Sequence, residues 1–86
     1  MRKLNMDKDA VKFLQDLDAK QYKQVATKVL SLMANASPAD YSHLKGSSYY
    51  RVDSGEYRIV YYFDADTIYV DLIGKRNDDE AYDRLK

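Results

Sequence analysis

The sequence predicts an α+β fold in which an N-terminal αα-hairpin packs on a small antiparallel sheet. Apolar residues recur at helical spacing through the first third of the chain, and three runs rich in Tyr, Val and Ile follow. The breaks between these segments hold the residues that turn a chain.

The opening MRKLN is short and weakly alternating, and admits a brief first strand. Asp7 is placed to cap a helix whose apolar stripe is Ala10, Val11, Leu14 and Leu17. After DAK a second stripe runs through Tyr22, Val25, Val29, Leu32 and Met33, which makes a tightly joined helical pair. NASPAD, with the only proline, stops the second helix. Residues 48–53, 56–63 and 67–73 then read as a three-strand meander, broken at Ser54-Gly55 and at Asp64-Ala65-Asp66. Gly74 closes the last strand. NDDEAYDRLK, acidic at its start and basic near its end, predicts a short C-terminal helix.

An 86-residue chain that is 45% hydrophobic supports one domain, residues 1–86, around one core. Without cysteine there is no disulfide framework and no thiolate metal site, which suits a reducing compartment. Charged residues interrupt every apolar run before it reaches the length of a membrane span or signal segment, so the expectation is a soluble, cytoplasmic protein with no membrane partner. Fourteen basic and fourteen acidic side chains cancel. Any nucleic-acid site must therefore be a local patch.

Strand alternation sorts the side chains into two faces. Tyr50, Val52, Tyr57, Ile59, Tyr61, Phe63, Ile68, Val70 and Leu72 form the face expected against the helices. The other, expected to be mixed and wet, carries Tyr49, Arg51, Asp53, Glu56, Arg58, Val60, Tyr62, Tyr69, Asp71 and Ile73. A two-residue turn at Ser54-Gly55 would set Arg51 opposite Arg58 and Asp53 opposite Glu56. Opposed like charges weaken a sheet by roughly 0.2–1 kcal/mol, and a phosphate between two guanidinium forks would reverse that sign. A longer loop would separate the pair. Tyr62 and Tyr69 either pack on the sheet or offer rings to bases.

Residues 44–82 carry a more specific pattern: Leu44-Lys45-Gly46, then Tyr50-Arg51-Val52, then Gly55-Glu56-Tyr57-Arg58-Ile59-Val60-Tyr61, then Gly74-Lys75-Arg76 with Tyr82 six residues after the arginine. In order and spacing this resembles the RelE/ParE toxin superfamily, across about half the chain and behind two helices of suitable length. The Gly-Lys-Arg-x5-Tyr ending is similar to the branch that cleaves messenger RNA. The resemblance implies a ribosome-dependent endoribonuclease that needs neither metal nor cofactor and inhibits translation. Its partners would be the ribosome, mRNA and a cognate antitoxin, docking on apolar residues left exposed by the αα-hairpin. Arg58 and Arg76 would hold the scissile phosphate, and Tyr82 would act in catalysis or stacking. Arg51, with Lys75 and Lys45, would bind substrate.

Such cleavage needs a base for the 2′-hydroxyl, cations for charge gathering on phosphorus and an acid for the leaving 5′-oxygen. Arginine, protonated below a pKa of about 12, supplies only the cation. A tyrosine, with a pKa near ~10, becomes a base only if cations such as Arg58 and Arg76 lower it. Asp53 stands where the RNase branch often places a second lysine. It either takes the base role, as a carboxylate does in other members, or marks weakened activity; Glu56 is the alternative base, and Asp53 beside Ser-Gly also suits simple turn formation.

His43, in an expected loop before Leu44, would join the site only if that loop folds towards Arg51. Asp78, Asp79, Glu80 and Asp83 fit a helix start better than a metal site. Two rivals stay open: a ParE-like gyrase inhibitor that cuts nothing, and a degenerate member that only binds antitoxin. Arg58 and Tyr82 are both expected outside the core, so that replacing either removes activity without unfolding the domain.

Overall fold

The computed structural model describes residues 1–78, 81 and 82. Its elements are β1 (Lys3–Met6), α1 (Lys8–Gln15), α2 (Ala19–Ala34), β2 (Ser42–His43), β3 (Tyr50–Ser54), β4 (Tyr57–Phe63) and β5 (Thr67–Lys75). Both helices begin on an aspartate. Asp7 accepts the Asp9 amide at 3.0 Å and Asp18 accepts the Gln21 amide at 2.9 Å, each satisfying an amide that the first helical turn leaves unpaired. The α+β class and the helical hairpin stand as predicted.

The sheet is larger than a three-strand meander. Its order is β1-β5-β4-β3-β2, with the opening strand parallel to β5 and the rest antiparallel. The two-residue β2 was not legible because a strand that short has no alternation to show. Ala10 and Leu14 of α1 and Val25, Val29 and Leu32 of α2 pack on Val52, Tyr57, Ile59, Tyr61, Ile68, Val70 and Ile73, which forms the main core. Tyr61, fully buried, places its hydroxyl on the Ala36 carbonyl at 2.7 Å, so its polar tip is satisfied inside that core. Tyr22, read as part of the buried stripe, instead stands exposed on α2 together with Leu30.

Two local features reset the expected register. The β3–β4 loop is Gly55-Glu56, since Ser54 pairs with Tyr57. Gly55 has φ +59° and Glu56 is not left-handed, the pattern of a type II′ hairpin turn, which takes glycine at its first central position. Ser54 is buried, and its hydroxyl reaches the Gln24 carbonyl of α2 at 3.4 Å. In β5, a bulge shifts the pairing: Val60 faces Leu72 but Tyr61 faces Val70, leaving Asp71 as the extra residue. Alternation therefore changes phase at Asp71. Ile73 enters the main core and Leu72 turns to the other side, the reverse of the expected assignment.

Candidate functional site

The sheet face away from the helices is only partly wet. Leu44, Val60 and Tyr82 are buried there, with Tyr49 and Leu72 packed around them, as a second small core. Val60, central in the sheet, is completely covered, and Tyr82 is 2% exposed. The Asp78 carboxylate accepts the Ala81 amide at 3.3 Å, and Ala81 and Tyr82 are helical. The remainder of the expected C-terminal helix, including Asp79, Glu80 and Asp83, lies outside the described residues. The expectation that Tyr82 stands clear of a core is corrected: its ring is what closes this one.

Arg58 lies beside that ring. Its guanidinium carbon is 5.2 Å from the Tyr82 ring centroid, within cation–π range. The Tyr82 hydroxyl donates to the Lys75 carbonyl, which pins the tail to the end of β5. On β5, Arg58 pairs with Gly74. A Cβ at Gly74 would sit 3.5 Å from the Tyr82 hydroxyl, an ordinary contact distance, so Gly74 lies directly beside the tyrosine.

On the other flank, Arg58 pairs with Asp53, and its Nε donates to the Asp53 carboxylate at 2.9 Å. The Arg58 and Asp53 side chains are 15% and 36% exposed, which places this ion pair at the edge of the small core, not within it. The expected Arg51–Arg58 and Asp53–Glu56 oppositions are absent, because the type II′ turn displaces the register. Arg51 faces Val60 and Asp53 faces Arg58. The like-charge cost disappears with them. Arg51 remains the diagonal neighbour of Arg58, at a separation of about 7–8 Å that long side chains can span.

Lys75 and Arg76 are exposed at the end of β5. With Glu56 and Asn77 they line a depression of about 340 Å³, where the Arg76 amide donates to the Glu56 carbonyl at 3.0 Å and holds the segment against the β3–β4 turn. Lys45 is exposed in the loop that brings Leu44 into the small core. His43 is placed elsewhere. It pairs with Tyr50 and lies against that ring at 5.5 Å, on the helix-side face, opposite to Arg51 and Arg58. A hollow of about 720 Å³ between β1 and the end of α2 holds none of the predicted site residues.

Further along the same face, Tyr62 and Tyr69 stack on each other at 4.7 Å and 11°, and the Tyr49 ring meets Tyr62 edge-on at 5.7 Å. Each of these rings already has one face or edge against a neighbouring ring, which favours plain sheet packing. Tyr49 donates its hydroxyl to Asp71 at 2.8 Å. That bond, and then partial burial, push the phenol up to about 12. The residues that sequence reading missed are the small core's other walls, Leu44 and Leu72, and the Lys75 carbonyl. The first two follow only from the loop path and the bulge, and a backbone carbonyl carries no sequence signal.

Neither a family model nor a curated protein sequence matches the chain. Solved structures do. RelE in the RelE–RelB complex of Pyrococcus horikoshii superposes with a TM-score of 0.77 at 24% identity, over 90% of this chain and 97% of that one. The chain has the RelE toxin fold. A doubly substituted E. coli RelE in the free state gives 0.78 at 21% identity, covering 98% and 93%. The RelB–RelE complex of Methanococcus jannaschii gives 0.67 at 24%, covering 95% and 99%. The likeness in fold thus extends over nearly the whole chain, in which Arg58 and Tyr82 lie together on the face the helices leave open.

Proposed function

We propose that this chain is the toxin of a type II toxin–antitoxin pair, a single RelE-like domain that acts as a metal-independent endoribonuclease on messenger RNA in the ribosomal A site and so inhibits translation. The observation that carries this reading is the Arg58 guanidinium held against the Tyr82 ring, with Arg51 one diagonal step away and Lys75 and Arg76 beside the same turn. Permanently charged guanidinium groups, fixed before substrate arrives, suit the charge that gathers on phosphorus when a 2′-hydroxyl attacks it and the 5′-oxygen leaves. Arg58 and Arg76 are assigned to the scissile phosphate and Arg51, Lys75 and Lys45 to flanking phosphates, while Tyr82, with its ring buried and its hydroxyl on the Lys75 carbonyl, is assigned to holding the Arg58 guanidinium and not to the nucleotide itself. Asp53 belongs to this set through its bond to Arg58. The RelB-bound relatives support an antitoxin partner, and the exposed Tyr22 and Leu30 of α2 are the apolar residues assigned to it. A cytoplasmic location accords with these partners.

A second reading has an observation of its own. Asp53 partly neutralises Arg58, as expected of a member that binds antitoxin without cutting RNA. Purified protein added to ribosomes programmed with a defined message separates the two. A-site cuts that vanish with Arg58→Ala support the nuclease. Intact message, under conditions where a known RNase toxin cuts, rejects it.

A further inference from the structure

We infer that Asp53 is a positioning residue for Arg58 and not the general base of the reaction. The inference rests on the nuclease reading above. Three features hold the guanidinium in one pose: the Asp53 carboxylate on Nε, the Tyr82 ring 5.2 Å from its central carbon, and a tight turn that fixes the Asp53–Arg58 register. The carboxylate takes Nε–H, and the Nη donors make no hydrogen bond to a described residue. Those are the donors of a guanidinium's outer fork, the edge that grips two phosphate oxygens at once. Even at the edge of a packed face, with its side chain 15% exposed, an arginine has several rotamers open to it, and ordering it at the moment of binding would cost entropy. Asp53 removes that cost in advance. Its negative charge also weakens the attraction between this site and RNA phosphate, so orientation and affinity are set against each other through one carboxylate.

That opposition makes the role measurable. In Asp53→Asn the amide oxygen still accepts from Nε, but the charge is gone. In Asp53→Ala both are lost. Single-turnover cleavage on programmed ribosomes should show Asp53→Asn keeping the maximal rate within about threefold while half-saturation moves to lower toxin concentration. Asp53→Ala should lose about tenfold or more in maximal rate, since misplaced catalytic groups can cost about 100-fold. A general base would behave differently, with both variants losing about 100-fold or more, because an amide takes no proton. Equal loss in the two variants, or no loss in either, overturns the inference.

The side-chain Nε–H resonance of Arg58 gives a second readout in the free protein, independent of cleavage. It should be a discrete, slowly exchanging signal in the wild type and Asp53→Asn and be averaged out in Asp53→Ala, while the backbone spectra stay superimposable. Wild-type protein that cuts nothing defeats the nuclease reading alone. An averaged wild-type Arg58 signal defeats the positioning role whatever the activity.

Discussion

Tyr82 combines two jobs that substitution can separate. Its ring fills the small core over Val60, and its hydroxyl ties the tail to the Lys75 carbonyl. Removing the ring with Tyr82→Ala should cost on the order of 3 kcal/mol, the scale of a large buried aromatic. Tyr82→Phe should cost about 1 kcal/mol for the hydroxyl's bond to the Lys75 carbonyl. Urea unfolding monitored by circular dichroism checks both. Loss of activity in Tyr82→Ala therefore says little about chemistry, and the phenylalanine variant is the informative one. Tyr49 adds a pH-dependent contact on the same face. The folded protein raises this phenol from 10.0 to about 12, so the Asp71 bond stabilises the neutral form. Its contribution is complete below pH 10 and disappears as pH rises towards 12. Asp71→Asn should bring the Tyr49 titration down towards 10, as followed by its ring carbon shift in NMR.

At the level of elements, the β3–β4 turn and the β5 bulge decide which side chains meet. Gly55 is the residue on which the turn depends. An alanine there would have to hold φ +59°, at a cost of about 1–2 kcal/mol for an L-residue. Its Cβ would also come within 2.9 Å of the Gln24 amide, but that amide is the end of a flexible side chain and can move aside. Gly55→Ala should lower stability by that backbone amount in urea unfolding. It should also reduce cleavage, because Arg58 meets Asp53 only in this register. The same elements mark what the sequence made legible. The cap at Asp18 went unread inside DAK, whereas the helix start at Asp7, the β4 strand and both faces up to Val70 could be read from a cap and from alternation. The register could not, since Ser54-Gly55 and Gly55-Glu56 are both acceptable two-residue loops until Ser54 is seen packed against α2. Nor could the phase change at Asp71. A bulge adds a residue without any compositional mark, and one added residue turned Leu72 from predicted core to the opposite face.

For the whole molecule, a formal net charge of zero means that the proposed RNA binding gains nothing from long-range steering. What remains is the local set on the open face and its rim: Lys45, Arg51, Arg58, Lys75 and Arg76, opposed by Asp53, Glu56 and Asp71. Salt titration of binding to a 2′-O-methyl oligoribonucleotide counts the phosphates such a patch engages. Each contact with a single strand contributes about −0.7 to the slope of log K against log salt. Five cations at full engagement would give a slope near −3.5 on that scale, and the acids should hold it shallower. Arg51→Gln and Arg76→Gln should each make the slope about 0.7 less negative without changing the unfolding midpoint, because neither side chain lies in either core. Asp53→Asn should instead raise affinity across the salt range, by freeing the Arg58 charge from its internal partner. A slope steeper than the five cations allow would mean that RNA also follows a second basic path, outside the face built by Arg58 and Tyr82.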